Sequence, residues 1–200
     1  MNIRTRRAQQ TKQKILETAI EMFNEKGFNN VTVDEIVEKT ETSKGAFYTH
    51  FRSKHDIFLE KFKEIDQYYI EEVYPSLDSY PTPTEKLTHF FTMQMSYIEN
   101  DLGWDVVRTI YEQELNTDRK SFFLNKDRPL YKYLRELCLE GQRLNEFRTD
   151  LNVEQLMKVI MRNMRGILYD WSIHQGEFSL IEEQKDLVKV IVSGIRSNDS

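Results

Sequence analysis

The residues best placed for chemistry lie in one short run, Ser43-Lys44-Gly45-Ala46-Phe47-Tyr48-Thr49-His50-Phe51. Phe47 and Phe51 are four residues apart, so on a helix they share one face and can anchor it to a core. The lysine, tyrosine, histidine and hydroxyl groups then remain as donors for phosphates and base edges. Gly45 and Ala46 are small and would allow close approach of the backbone to a partner. The pattern predicts nucleic-acid recognition.

Groups suited to catalysis or metal binding are scattered. The single cysteine, Cys138, lies between two leucines and fits a core position better than a reactive thiol. No glycine-rich phosphate loop, dinucleotide fingerprint or nucleophile elbow is present. We therefore expect no enzyme, no metal site and no cofactor. The histidines have no metal-ligand spacing: they are His50, His55, His89 and His174.

The charge is unevenly distributed along the 200 residues. Residues 1–54 hold 10 Lys and Arg against 7 Asp and Glu, whereas the remainder holds 18 against 26. A basic N-terminal segment on an otherwise acidic chain suggests that this segment binds a polyanion. No apolar stretch is long enough for a membrane helix, and one cysteine rules out an internal disulfide. These features predict a soluble cytoplasmic protein.

Apolar residues recur at helical spacing almost throughout, so the predicted fold is all-α with about nine helices. Thr32-Val33-Asp34-Glu35 and Thr82-Pro83-Thr84-Glu85 are capping boxes that open helices. A long helix is expected from Ser53 until Pro75 ends it. Residues 116–128 give no clear pattern. We expect a DNA-binding domain over residues 1–54 and a helical effector-binding and dimerisation domain over residues 55–200.

Two short helices separated by Glu41 and Thr42 have helix-turn-helix geometry, in which the later helix enters the DNA major groove. From Ile15 to Phe58 the sequence resembles the DNA-binding domain of the TetR family of transcriptional regulators. The resemblance rests on the Thr32–Ile36 run, on Ser43–Phe51 and on Ser53-Lys54. The family usually has a glycine where this chain has Glu41, so we expect strain or an altered turn there, and an acid near DNA.

The resemblance implies a role for each matching position. Lys44 and Gly45 would approach base edges, and Ala46 could offer its methyl group to a thymine. Phosphates would be bound by Thr32, Ser43, Tyr48, Thr49, His50 and Lys54, the last also from its place at a helix N-terminus.

The body of the chain is rich in aromatic and methionine side chains, which pack adaptably and can enclose a ligand-sized cavity. Most of them should be core, but TetR-like proteins hold an apolar effector pocket in this region. The candidate ligand-binding residues are Phe90, Met93, Tyr97, Trp104, Arg108, Tyr111, Tyr131, Met161 and Met164.

A single recognition helix binds weakly, so two copies of the chain should pair and place their DNA-binding domains on two half-sites. The last two helices carry apolar stripes that fit either a dimer interface or an internal core. The candidate interface residues are Leu156, Ile160, Ile167, Trp171, Leu187, Val188, Ile191 and Ile195.

We thus expect a homodimeric repressor that binds a palindromic double-stranded DNA operator. A small apolar or amphipathic effector would release it, and no membrane is involved. The alternative is a helical protein–protein adaptor that does not bind DNA.

Overall fold

The structure is a computed structural model that describes residues 3–115 and 121–197. Within these ranges the regular structure is helical, and no β-sheet forms. Counting the continuous rod 54–77 as one helix gives nine helices in the described chain, as the sequence predicts. The α-helices are α1 Ile3–Lys26, α2 Val33–Lys39, α3 Lys44–His50, α4 Lys54–Tyr68, α5 Tyr74–Leu77, α6 Pro83–Tyr97, α7 Trp104–Glu114, α8 Pro129–Arg143, α9 Val153–Ile173 and α10 Leu180–Ile195.

Helices α1 to α3 form a small head around a buried apolar centre. Ile15, Phe23, Ile36 and Phe47 are each fully buried there. The capping box at Thr32 is complete: its hydroxyl accepts from the Glu35 amide, and the Glu35 carboxylate accepts from the Thr32 amide. Two orphan amides are thereby satisfied at the start of α2, which helps so short a helix to persist.

The rod that follows the head does not end at Pro75. Residues Tyr69–Val73 form a π-helical turn, and the short helix α5 continues to Leu77. Pro75 lies in the first turn of α5, where a backbone N–H would have no partner within the helix. Helix α5 begins directly after the π turn, so Pro75 lies at a helix start. A proline inside an uninterrupted α-helix would break it.

The body packs α6 against α10, and α9 against α7, α8 and α10. Helix α4 contacts both α1 of the head and α7 of the body, so it links the two regions. A second π-helical turn, Ile98–Leu102, follows α6. Residues 121–128 form turns, and 116–120 lie outside the described residues. The predicted domain division after residue 54 stays a prediction.

None of the helices in the described ranges has both the length and the apolar character needed to cross a membrane.

Candidate DNA-binding surface and effector cavity

Helix α3, the predicted recognition helix, is held by its N-cap and by two phenylalanines. The Ser43 hydroxyl accepts from the Ala46 amide at 3.0 Å. Phe47 and Phe51 are buried at 0% and 1% exposure, as the four-residue spacing predicts. Tyr48 points outward and is 55% exposed. The head therefore presents α3 with its apolar side fixed and its polar side open.

Several of the expected DNA-contacting groups already have partners within the head. The Lys44 ammonium lies 2.6 Å from a carboxylate oxygen of Asp34, which raises the pKa of the lysine. The Thr49 hydroxyl donates to the Gly45 carbonyl at 2.7 Å. The Lys44 ammonium is thus paired within the head, whereas the exposed Tyr48 hydroxyl has no hydrogen-bond partner among the described contacts, and the DNA contacts of both residues stay predictions.

Lys54 is occupied within the protein. Its ammonium donates to the carbonyls of Phe28 and Val31 at 2.6 and 2.7 Å and lies 4.2 Å from the centre of the Phe28 ring. Burial lowers the pKa of this lysine. Lys54 thus ties the start of α4 to the segment before α2, and its expected phosphate contact stays a prediction. Sequence spacing alone gave no sign of this local role.

The turn between α2 and α3 shows the strain expected at Glu41. This residue has φ of +54°, the left-handed region that favours glycine. Its neighbours hold the turn in place: the Thr40 hydroxyl donates to the Ile36 carbonyl at 2.8 Å, and the Thr42 amide donates to the Val37 carbonyl at 2.9 Å. An acid therefore occupies a strained position beside the recognition helix.

A small cavity of about 40 Å³ lies in the body, walled by α4, α6, α7, α8 and α9. Three of the nine candidate ligand residues line it: Tyr111, Met161 and Met164. Helix α4 contributes Ile65, and the π turn contributes Tyr69. The cavity is mostly apolar and sits against the rod that leads to the head.

Polar groups mark one side of this cavity. The Gln94 amide donates to the Tyr69 hydroxyl at 2.7 Å, while its buried Oε1 has no hydrogen-bond partner among the described residues. Burial raises the pKa of Tyr69. Arg128 also lines the cavity. Its Nε and Nη2 donate hydrogen bonds to the Asp66 carboxylate of α4 at 3.0 and 2.9 Å. The sequence analysis missed Asp66 and Gln94, because polar residues inside helical stretches are expected at the surface. It missed Arg128 because residues 116–128 gave no clear pattern.

The other candidate ligand residues lie elsewhere. Phe90 is fully buried, and Tyr97 stacks on Tyr68 with ring centres 4.4 Å apart. Met93 accepts a hydrogen bond from Ser76 at 3.1 Å. The remaining three candidates are Trp104, Arg108 and Tyr131. The Arg108 guanidinium lies over the Trp104 ring, and Tyr131 lines a separate groove.

Comparison with protein families agrees with this architecture. Residues 15–60 match the model of bacterial regulatory proteins of the tetR family, and residues 62–194 match the C-terminal region of YsiA-like proteins. The chain belongs to the TetR family. It is a DNA-binding transcriptional regulator, and the adaptor alternative gains no support from these matches.

Individual relatives match either most of this TetR-family chain or about a quarter of it. The fatty acid metabolism regulator protein of Bacillus subtilis is 21% identical over 184 residues, spanning 92% of this chain and 95% of that protein. The crystal structure of B. subtilis FadR in complex with stearoyl-CoA has a TM-score of 0.73 at 22% identity, covering 92% of this chain and 99% of that one. Regulator QacR of Staphylococcus aureus is 49% identical over 49 residues, 24% of this chain and 26% of that protein.

The structure divides the candidate dimer residues into two groups. Ile167 and Leu187 are partly exposed and line an open groove of about 660 Å³ between α9 and α10. The others face inward and belong to the core of the single TetR-family chain, so within this structure they are not available to a partner. This buried group comprises Leu156, Ile160, Trp171, Val188, Ile191 and Ile195.

Proposed function

We propose that the protein is a repressor that binds operator DNA as a homodimer and leaves it when a long-chain acyl-CoA enters the body. One observation carries this proposal: α4 starts at Lys54, four residues after α3 ends at His50, and its later turns wall the cavity. The relative crystallised with stearoyl-CoA supports the choice of effector class. Because a regulator of operators must reach the chromosome, we propose that it acts in the cytoplasm.

The cavity must enlarge to accept such a ligand. Ligand sites are commonly on the order of 300–1,000 Å³, far above the roughly 40 Å³ present. Ile65 and Tyr69 belong to the rod, so an incoming acyl chain presses directly on it. The ligand therefore favours a body conformation in which the rod is displaced, and this is a population shift.

Displacement of the rod moves the head. In a dimer on two half-sites, the separation of the recognition helices must match the helical repeat of DNA. A small change in rod position in both protomers alters that separation. The geometry then disfavours simultaneous docking, and the operator is released.

The direct test is retardation of duplexes taken from the region upstream of the gene. Affinity should fall steeply with salt because counterions are released from DNA. Stearoyl-CoA should abolish the shift, and free CoA should not. Retardation that is unaffected by saturating stearoyl-CoA would reject the proposed effector class, and failure to retard any upstream duplex at low salt would reject operator binding there.

A matched pair of variants tests the head. Tyr48→Phe removes one exposed hydroxyl from α3 and should weaken operator binding about tenfold, from about one lost neutral hydrogen bond per protomer. Tyr169→Phe removes an exposed hydroxyl from α9 and should leave the affinity unchanged. Equal effects from both variants would contradict the assignment of α3 to the DNA.

A further inference from the structure

A groove of about 290 Å³ runs beside the smaller cavity of about 40 Å³. Its lining includes four basic side chains and one acidic one, Glu154. The two carboxylate oxygens of Glu154 lie 3.9 Å from the Lys126 ammonium and 3.9 Å from Nε of Arg135. The groove therefore has an excess of positive charge on a chain whose net charge is −5, and it suits an anion. The basic residues are Lys126, Lys158, Arg162 and Arg165.

The groove and the cavity share a wall. Met161 and Arg165 line both spaces, so only these side chains and their neighbours separate them. The wall is fastened by hydrogen bonds at one carbonyl, that of Phe123. Arg165 Nη2 donates to it at 2.5 Å, and the Tyr131 hydroxyl donates to it at 2.6 Å. Arg165 also donates to the Tyr131 oxygen at 3.1 Å.

We propose that the basic groove binds the phosphate-bearing head of the acyl-CoA effector while its acyl chain passes Met161 into the cavity. This rests on the proposed function and adds to it a head-group site, a route of entry and a reason for preferring phosphate-bearing amphiphiles to simple fatty acids.

The chemistry of Arg165 explains how the wall opens. A guanidinium forms stronger hydrogen bonds to a phosphate than to a neutral carbonyl, and it can do so with two parallel donors. A phosphate in the groove therefore competes with the Phe123 carbonyl for Arg165. Once Arg165 turns to the groove, its hydrogen bond to the Phe123 carbonyl is broken. The acyl chain can then follow the phosphate-bearing part of the ligand into the cavity.

The test compares three ligands by calorimetry on the full-length protein: stearoyl-CoA, stearate and free CoA. In the wild type, stearoyl-CoA should bind most tightly, and its affinity should decrease as salt is raised. The variant Lys126→Gln/Lys158→Gln should weaken stearoyl-CoA about tenfold and flatten its salt dependence, while stearate affinity stays within about twofold. These figures correspond to roughly 0.7 kcal/mol for each exposed charge pair.

The control variant, Lys132→Gln/Arg143→Gln, removes two exposed positive charges from α8 outside the groove lining. It should bind stearoyl-CoA like the wild type. Equal weakening in both double variants, or no weakening in the groove variant, overturns the head-group site while the effector class stands. Absence of stearoyl-CoA binding to the wild type instead rejects the effector class itself.

Discussion

Glu41 is a residue whose backbone conformation conflicts with its type. At φ of +54° a side chain costs about 1 kcal/mol that glycine avoids. Glu41→Gly should therefore raise the free energy of unfolding by about 1 kcal/mol, measured by urea denaturation. Glu38→Gly, an exposed position inside α2, should lower it by about 1 kcal/mol. A destabilised Glu41→Gly protein would show that the carboxylate supports the turn.

Cys138 is buried in α8, and burial raises the pKa of its thiol to about 12. The thiolate is the reactive form, so alkylation of the native protein should be very slow from neutral pH up to about pH 9. Mass spectrometry after incubation with iodoacetamide measures this, and the same reaction in 6 M guanidinium should go to completion as the control. Rapid modification of the native protein would contradict the observed burial.

Single residues also show what a sequence can predict. Ser43 and Thr32 were predictable as caps because a cap depends on neighbours three residues away. The role of Lys54 was not, because its carbonyl partners, Phe28 and Val31, lie 26 and 23 residues earlier in the chain. Contacts over such distances leave no periodic signal.

At the scale of elements, the rod formed by α4 is fastened to the body by Asp66. Its partner Arg128 has a side chain only 4% exposed, and the pair is bidentate. Removing one member of a buried pair costs about 3–5 kcal/mol because the other charge stays buried. Asp66→Ala should therefore lower the free energy of unfolding by about 3 kcal/mol in urea denaturation.

Two further variants make that experiment specific. Glu72→Ala removes an exposed acid from the π turn of the same rod and should change stability by less than about 0.5 kcal/mol. Asp66→Ala/Arg128→Met should recover part of the loss, since no unpaired guanidinium remains. If Asp66→Ala resembles Glu72→Ala, the pair does not fasten the rod.

Helix positions were largely predictable from the sequence, but helix continuity was not. Capping boxes and apolar periodicity located the starts of α2 and α6. A π turn has no comparable signature, because it changes which amide meets which carbonyl without requiring particular residues. The same limit applies to α9 and α10. An apolar stripe indicates that the face is covered, but it does not show whether the core of the same chain or a second copy covers it.

For the whole molecule, the outer face of α9 and α10 is the surface on which we expect two copies to meet. Ile167 and Leu187 line its groove, and Val190 is 70% exposed nearby on α10. Ile167→Glu would replace a partly buried apolar side chain by a charged one at the expected contact, once in each copy. The variant should be monomeric by light scattering at concentrations where the wild type is a dimer, and it should lose operator binding.

The control for that experiment is Leu144→Glu, at the end of α8, where the leucine is 49% exposed. It adds the same charge away from the α9–α10 face and should remain dimeric. A dimeric Ile167→Glu protein that binds the operator would move the interface to another surface.

The π turn at Tyr69–Val73 has one more consequence. A turn of this kind accommodates a single additional residue while both flanking helices keep their facing. Shortening the chain by one residue at the exposed Ile70 should yield a regular α-helix with Ile65 and Val73 still directed inward. The rod would then be stiffer between α4 and α5. Effector binding would displace it less, so the operator would be released less readily.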